Sequence, residues 1–388
     1  MSGPDLFARP RRIGRGAALT LVFASVLATG AATGALPGDG RKTVAGRDGS
    51  VAAAAHEKPL ADPAEAAEEA MADGKSPAQA AEEAVSRSGD RWGAVYSQGE
   101  YEEFEQALDG EYTGVGLWAR RTVDGEVQVT RVRGGSPAQH AGIREGDRIA
   151  AVDGRPVTGR PVTEVLALLR GERAGTSVHV GLQRGTRAWS ETLRRANLST
   201  DSVAVTRLAD GAVLIKVSAF TKGAGGRVRA AVRAAPARAG VVLDLRGNSG
   251  GLVTEAVTAA SAFLDGGLVA TYDVRGAQRA LHAERGGNTS RPVVVLVDSG
   301  TMSAAELLTG ALQDRGRAVV VGTRTFGKGS VQMPSRLPDG SVAELTVGHY
   351  RTPSGRSVDG RGITPDLEAA DGQLERAETV LSGLGAPS

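Results

Sequence analysis

The second half of the chain alternates short apolar runs with longer stretches of helical periodicity. Four nearly continuous apolar runs have the pattern of strands buried on both faces of a sheet, at residues 213–217, 240–245, 293–297 and 318–321. Helical patterns follow three of these runs, at residues 225–234, 254–264 and 304–314. This alternation predicts an α/β core whose strands are joined by helical crossover connections.

Two shorter patterns precede this core. Residues 112–200 alternate short strands with turns and contain one helical pattern at 162–169, which predicts a small strand-rich domain. Before it, two similar Ala-rich segments begin at Asp62 and Ser76, each followed by proline and, three residues on, by Glu or Gln. This is the order of an N-cap, a first-turn proline and a capping box, so we expect two short helices.

The N-terminus has the composition of an export signal. Four arginines at positions 9–15 precede an uncharged stretch at 16–38, which ends in small residues. The stretch is also long enough to span a bilayer, so residues 1–38 are predicted to be a signal peptide or a membrane anchor. The protein is then exported and extracytoplasmic, either secreted after signal cleavage or associated with the membrane through residues 16–38. A buried helix of a cytoplasmic protein is the competing interpretation.

The remaining domain boundaries follow from the same patterns. After the leader we predict a linker, an N-terminal helical segment, the strand-rich domain, the α/β core and a C-terminal helix with a tail, at residues 39–60, 61–111, 112–200, 201–370 and 371–388.

A net charge of +2 over 388 residues gives no electrostatic case for nucleic acid as a partner. The absence of cysteine excludes thiolate catalysis and cysteine-based metal sites.

Ser303 lies where a predicted strand runs directly into a predicted helix. A serine at such a junction has its Oγ beside free backbone N–H groups and the positive end of the helix dipole, which can stabilise an oxyanion. On these residues alone the simpler interpretation is a helix N-cap, with Glu306 at N3 completing a capping box.

Lys328 lies between two glycines, 25 residues after Ser303, and is one of only six lysines in a chain that otherwise uses arginine. Glycines let backbone segments approach closely, so this lysine can enter a crowded pocket. Desolvation there would lower its pKa and let it act as a general base toward a serine. The alternative is a lysine in a surface turn.

A glycine-rich turn follows the apolar run that ends at residue 245. Such a turn presents backbone N–H groups at the carboxyl end of a strand, where α/β folds place their sites. Phosphate binding would use the same groups, but no P-loop lysine follows.

The five histidines, at positions 56, 140, 179, 282 and 349, show no metal-binding spacing, so we expect neither a metal nor a cofactor.

Together these motifs resemble the C-terminal processing (tail-specific) proteases, a serine–lysine peptidase family. The resemblance rests on Asp-Leu-Arg-Gly-Asn-Ser-Gly-Gly at 244–251, the small residues around Ser303, and Thr-Phe-Gly-Lys-Gly-Ser-Val-Gln at 325–332. It implies an α/β protease core with an inserted PDZ domain and an N-terminal helical segment. It also implies that Ser303 is the nucleophile, that Lys328 is the general base, and that Gln332, one helical turn beyond, orients the lysine.

The same resemblance implies the oxyanion donors, which would be the amides of Ala304 and Gly250, with Gly251 as the alternative. One departure concerns the serine stretch. The family usually has Ser-Ala-Ser-Ala-Ser where this chain has Thr-Met-Ser-Ala-Ala at 301–305, so Met302 is bulkier than the residue usual beside the site.

The strand-rich domain resembles the PDZ domain that these enzymes carry. Its loop Gly114-Val115-Gly116-Leu117 would bind the terminal carboxylate of an extended peptide that adds to the sheet edge. The helix at 162–169 would form the other wall of the groove, through Val162, Val165 and Leu166.

These observations lead to one main hypothesis and two alternatives. The main hypothesis is an exported serine endopeptidase that uses a Ser–Lys dyad to cleave proteins or peptides with free C-termini near those ends. The first alternative is a catalytically silent PDZ scaffold that binds the C-termini of exported proteins, with Ser303 acting only as a helix cap. The second is a histidine-dependent hydrolase, which needs a histidine within reach of Ser303.

Overall fold

A computed structural model describes residues 63–171, 173–274 and 277–385. These residues form two compact units, one of residues 111–200 and the other of residues 63–110 together with 201–385. The predicted leader and linker lie outside the described residues. Among the helices that are described, none has the length and apolar character needed to cross a membrane.

The N-terminal segment is helical, as its composition predicts. It consists of α1 (Pro63–Ala72), α2 (Pro77–Ser88), β1 (Ala94–Tyr96) and α3 (Gln98–Leu108). The Ser76 side chain caps α2 by accepting a hydrogen bond from the Gln79 N–H. The two Ala-rich helices predicted from the capping pattern are therefore confirmed.

The unit of residues 111–200 is strand-rich. Its elements are β2 (Glu111–Gly114), β3 (Leu117–Arg121), β4 (Val127–Val132), α4 (Pro137–His140), β5 (Arg148–Val152), β6 (Arg155–Pro156), α5 (Val162–Arg170), β7 (Ser177–Arg184), β8 (Arg187–Arg194) and β9 (Ala196–Ser199). Antiparallel strands form a sheet in the order β3-β4-β5-β7-β8, with β6 beside β5, while β2 pairs with β9. Strand β3 is therefore an edge strand of its sheet.

The second unit continues with alternating strands and helices. They are β10 (Val203–Arg207), β11 (Val213–Val217), α6 (Ala224–Ala234), β12 (Val241–Asp244), α7 (Val253–Ala260), β13 (Leu268–Val274), β14 (Ala277–His282), β15 (Val293–Val297), α8 (Ala304–Asp314), β16 (Val319–Gly322), β17 (Ser330–Arg336), β18 (Val342–Arg351), β19 (Leu367–Glu368) and α9 (Gln373–Gly383). Six strands form one sheet in the order β10-β11-β12-β15-β16-β19. All neighbours in it are parallel except β10 and β11.

Burial on both faces explains the continuous apolar runs of this sheet. In β15, Val293, Val295 and Val297 belong to a core that includes residues of α6, α7 and α8. Val294 and Leu296 point the other way and cluster with residues of α9. Helices thus cover the two faces, which confirms the predicted α/β core.

A second sheet joins the N-terminal segment to the core. Its order is β1-β18-β13-β14, with β17 also paired to β18. One face of β18 packs against α3 through Val342, and the other packs against α1 and α2 through Ala343. Strand β17 begins two residues after Lys328, so this sheet carries the lysine segment next to the N-terminal helices.

Candidate active site

Ser303 is the N-cap residue of α8 and has an unusual backbone conformation. Its φ is +51° and its ψ is −117°, whereas an ordinary N-cap residue has an extended backbone. Such a conformation costs about 1–3 kcal/mol in a non-glycine residue and persists only where its surroundings impose it. The Ser303 N–H donates to Glu306 Oε2 at 2.8 Å, which is the capping-box contact that the sequence predicts. The cap hypothesis is confirmed for this contact, but it leaves the strained φ unexplained.

The segments around Ser303 hold this conformation in place. The Met302 N–H donates to the Asn248 carbonyl at 2.8 Å, and the Tyr350 hydroxyl donates to the Ser303 carbonyl at 3.0 Å. The Phe326 N–H donates to the Thr301 carbonyl at 3.1 Å. Three separate chain segments therefore fix the backbone on which the Ser303 side chain is mounted.

The glycine-rich turn after β12 lies directly against Ser303. A Cβ placed on Gly250 would be 3.0 Å from the Ser303 Cβ and 3.3 Å from the Ala304 nitrogen, so only glycine allows this approach. The Gly250 N–H donates to Asn248 Oδ1 at 2.9 Å, and the Gly250 carbonyl accepts from the Phe220 N–H. The Gly251 N–H takes part in neither of these bonds.

Of the predicted oxyanion donors, the structure places Gly250 beside Ala304. The Ala304 N–H belongs to the first helical residue of α8, which has no acceptor within the helix. Because the Gly250 N–H is bonded to Asn248, the Gly251 N–H is the better candidate for the second donor. Met302 is half-buried beside this turn.

Glu306 connects the serine segment to the lysine segment. Its carboxylate is fully buried and accepts four hydrogen bonds, from the Ser303 N–H, the Thr325 hydroxyl, the Gly327 N–H and the Lys328 N–H, at 2.8, 2.5, 2.7 and 2.9 Å. Burial raises the pKa of Glu306, and these bonds act against that rise. The carboxylate therefore anchors both candidate catalytic segments at one point.

Lys328 is completely buried, so the surface-turn alternative is wrong. Burial lowers its pKa from 10.5 to about 8, while the nearby carboxylates of Glu344 and Asp90 act in the opposite direction. The face of the Trp92 ring lies 4.9 Å from the Lys328 Nζ. An amine in this environment is largely neutral at mildly alkaline pH and can accept a proton.

Gln332 lies in strand β17. The expectation that it follows Lys328 by one helical turn is therefore wrong. The segment after the lysine pairs with β18, and this tertiary pairing outweighs any local helical tendency. The Gln332 side chain is 1% exposed, and its Nε2 donates to the Trp92 carbonyl. Its Oε1 has no hydrogen-bond partner among the residues that the structure describes.

Sequence reasoning missed two groups beside the lysine. The first is Trp92, because nothing in its local sequence pattern connects it to a segment more than 230 residues away. Glu344 is 1% exposed, and neither carboxylate oxygen bonds to a described residue. Burial raises the pKa of Glu344 to about 7, and Lys328 acts to lower it. A charged residue within an apolar strand is the signal that could have found it.

The candidate peptide-binding residues lie together in the unit of residues 111–200. Gly114, Val115 and Gly116 are buried between β2 and β3, and Gly116 has a φ of +81°. Leu117 on β3 and Val162 and Leu166 on α5 are half-buried apolar residues beside the core of this unit. Val165 is fully buried in that core, so its side chain has no exposed surface with which to contact a peptide, unlike the sequence-based expectation.

Neither described histidine of the unit that holds Ser303 suggests an alternative catalytic centre. His140 and His179 belong to the unit of residues 111–200, and His282 is exposed on β14. The His349 side chain is 53% exposed, and its Nε2 lies 3.8 Å from Asp359 Oδ2. Because side chains alternate along β18, it lies on the face of the strand that is opposite to the face of the buried Tyr350. His56 lies outside the described residues. Within the described ranges, no group of three or more His, Asp or Glu side chains is arranged to hold a metal ion.

Comparisons with known proteins place this site in a family. The sequence profile of peptidase family S41 matches residues 212–369, and a PDZ domain profile matches residues 128–184. The carboxy-terminal processing protease CtpA of Bacillus subtilis is 31% identical over 285 residues, which cover 72% of this chain and 61% of CtpA. The chloroplastic carboxyl-terminal-processing peptidase 3 of Arabidopsis thaliana is 33% identical over 313 residues, which cover 75% and 60% of the two chains.

This chain therefore spans about 60% of the length of these curated relatives. A solved structure, the photosystem II D1 C-terminal processing protease, is 30% identical and superposes with a TM-score of 0.51, covering 80% of this chain and 87% of its own. The fold and the matches together define the class as a peptidase-family core accompanied by a PDZ domain. The chain belongs to peptidase family S41, which confirms the resemblance drawn from its motifs.

Proposed function

We propose that this protein is a serine endopeptidase that cleaves protein or peptide chains near their free C-termini with a Ser303–Lys328 dyad. The observation that carries the proposal is the Glu306 carboxylate, which bonds the backbone N–H groups of both residues. A helix cap needs only the first of these bonds. The second bond, the burial of the lysine and the strained Ser303 backbone go beyond what a cap needs, and they support a catalytic dyad.

The reaction follows from these groups. The Ser303 Oγ attacks the peptide carbonyl carbon while the neutral Lys328 Nζ takes the hydroxyl proton. The resulting ammonium gives that proton to the leaving amine, the C–N bond breaks, and an acyl-enzyme remains. Water then attacks the ester carbonyl, Lys328 accepts a proton from the water and returns it to Ser303 Oγ as the ester bond breaks. The product leaves as a carboxylic acid, which gives its proton to the solvent. The lysine thus ends in its neutral starting form.

Charge that develops on the carbonyl oxygen needs hydrogen-bond donors. The Ala304 N–H at the start of α8 is one, and its proximity to Gly250 supports a second donor from the glycine turn. We assign that second role to Gly251, with Gly250 as the alternative. Gln332 orients Lys328, since its unbonded Oε1 is a buried acceptor that an amine or ammonium would satisfy.

Substrate selection belongs to the PDZ domain in this proposal. The open edge of β3 can accept an extended peptide as an added strand, and the loop Gly114-Val115-Gly116-Leu117 can bind its terminal carboxylate. Apolar side chains of the peptide would contact Val162 and Leu166. We further propose that the chain is exported and acts outside the cytoplasm, on the strength of the basic and apolar pattern in residues 1–38.

The experiment that tests this function is cleavage of an unstructured polypeptide with an apolar C-terminal tail. Wild-type protein should cleave it, whereas Ser303→Ala and Lys328→Ala should lose at least about 1,000-fold in kcat/KM, because each removes a member of the dyad. Binding of the tail without cleavage by the wild type would favour the silent PDZ scaffold. Full activity of Lys328→Ala would reject the dyad and show that another group is the base.

A further inference from the structure

The loop between α2 and β1 brings an aromatic side chain onto the candidate base. Trp92 lies in this loop, and its ring face covers the Lys328 Nζ at a distance of 4.9 Å. The ring also packs at 5.7 Å from the ring of Phe326, two residues before the lysine. Because Lys328 is completely buried and lies against this ring, Trp92 is part of the wall that separates the amine from water.

The main chain of the same residue orients Gln332. An amide side chain has one donor end and one acceptor end, so a partner at one end decides which way the other end faces. The Trp92 carbonyl accepts from Gln332 Nε2, so Oε1 becomes the end directed elsewhere. That buried Oε1 bonds to no described residue, which makes it an acceptor available to the lysine.

Asp90 attaches the loop to the strand that carries the site. Its Oδ2 accepts from the Thr346 N–H at 2.7 Å, and its Oδ1 accepts from the Thr346 hydroxyl at 2.8 Å and from the Trp92 N–H at 3.0 Å. Thr346 lies on β18 directly opposite Gln332 on β17. The loop is therefore bonded at the register position where Gln332 lies.

We propose that Trp92 is a positioning residue of the catalytic centre, which keeps Lys328 dry with its ring and sets the orientation of Gln332 with its carbonyl. This inference rests on the proposed function, because it gives Trp92 a role only through a catalytic lysine. It makes the N-terminal helical segment a component of the active site, since Trp92 reaches the site only when the loop of residues 89–93 is bonded to β18.

The charges around Lys328 determine the direction of the expected effect. Glu344 on β18 and Asp90 in the loop are carboxylates that favour the ammonium form, and Glu306 bonds the backbone N–H of the lysine. The guanidinium of Arg91 lies 4.5 Å from the Trp92 ring centre. Loss of the ring admits water, which favours the ammonium form and raises the pKa of Lys328. The Trp92 ring also stabilises the ammonium form of Lys328 by a cation–π contact, so its loss lowers the pKa. This effect is the smaller one, because burial is the dominant cause of the lowered pKa.

The test compares Trp92→Ala with Trp92→Phe over pH 6 to 10 in the full chain. Both kcat/KM for a short peptide and the rate of covalent modification by a fluorophosphonate are measured. The alanine variant should move the acid limb of both profiles upward by about one unit and lower the rate at pH 7 about tenfold. The phenylalanine variant, which keeps an aromatic cover, should stay within about threefold of wild type.

Trp189→Ala is the matched control, because Trp189 is half-buried beneath two arginines in the other unit. It should leave the acid limb unchanged. An unshifted limb in Trp92→Ala, or an equal shift in Trp189→Ala, would overturn the proposal. Ser303→Ala distinguishes this failure from failure of the proposed function. If Ser303→Ala retains activity, the dyad is wrong. If Ser303→Ala is inactive and Trp92→Ala keeps the wild-type profile, only the role of Trp92 is wrong.

Discussion

At the residue scale, the burial of one amine sets the conditions under which the proposed site can work. Lys328 must be neutral to accept the Ser303 proton, and burial makes the neutral form accessible by lowering its pKa to about 8. The two carboxylates that face it keep the pKa from falling further. The balance between water exclusion and nearby negative charge is therefore the property of the site that experiments can adjust.

The first prediction concerns pH. Because the active form is the deprotonated one, kcat/KM should rise tenfold per pH unit below about 8 and level off above it. Glu344→Gln should shift this limb downward, since it removes an anion that stabilises the ammonium form, and should raise activity at pH 7. Initial-rate measurements with a short peptide check both profiles. An acid limb with its midpoint near pH 6.5 that does not shift in Glu344→Gln would indicate a histidine base instead.

A second residue-scale prediction concerns Glu306. Glu306→Gln replaces one carboxylate oxygen with an NH2 group that faces at least one backbone N–H donor, so at least one of the four hydrogen bonds is lost. We expect a loss of about 2–4 kcal/mol in the free energy of unfolding and a fall in kcat of at least 100-fold, measured by urea denaturation and by peptide cleavage.

Glu255→Gln is the control for this change. The Glu255 carboxylate also accepts two backbone N–H groups, those of Gly223 and Gly225, but it lies on α7 outside the site. It should cost stability without a comparable loss of kcat. Equal losses of activity in the two variants would mean that Glu306 acts only through general stability.

At the scale of elements, the carboxyl ends of parallel strands determine where the site forms. The turn after β12 and the start of α8 after β15 meet because these strands are neighbours in the sheet. The Ser303 segment and the glycine-rich turn could both be predicted from the sequence, since each follows a buried strand at that edge. Gln332 and Trp92 could not be placed in this way, because their positions depend on pairing of β17 and β1 with β18.

The prediction at this scale uses two glycines of one turn. Gly250→Ala would place a Cβ 3.0 Å from the Ser303 Cβ at a φ of +99°, so the turn must move and kcat should fall at least about 100-fold. Gly247→Ala has a similar backbone cost at a φ of +68° but meets no atom within 4 Å. Cleavage assays should show a much smaller loss for it. Similar losses of kcat in both variants would show that the close approach at Gly250 does not control activity.

At the scale of the whole molecule, the sequence predicted the kinds of domain better than their connections. The α/β core, the PDZ domain and the N-terminal helices were all recognised from periodicity and motifs. The contribution of the N-terminal segment to the core was not, because β1 pairs with β18 across more than 240 residues. Long-range antiparallel pairing leaves no local pattern, whereas buried parallel strands do.

The prediction at this scale concerns recognition of chain ends. Leu166→Glu places a charge on the proposed groove wall and should weaken binding of an apolar C-terminal peptide at least about tenfold. Thr163→Glu adds the same charge at an exposed position of the same helix and should bind like wild type. Fluorescence anisotropy in a Ser303→Ala background measures both. Amidation of the peptide C-terminus should weaken binding too, and tolerance of amidation would argue against carboxylate recognition.

The central claim is that Lys328 activates Ser303, and its most direct test is covalent labelling with site mapping. Wild-type protein treated with a fluorophosphonate at pH 8 should gain one adduct, located on Ser303 by peptide mass spectrometry. Lys328→Ala should label at least about 100-fold more slowly, since the hydroxyl then lacks its base. An adduct on another residue, or labelling of Lys328→Ala at the wild-type rate, would contradict the account.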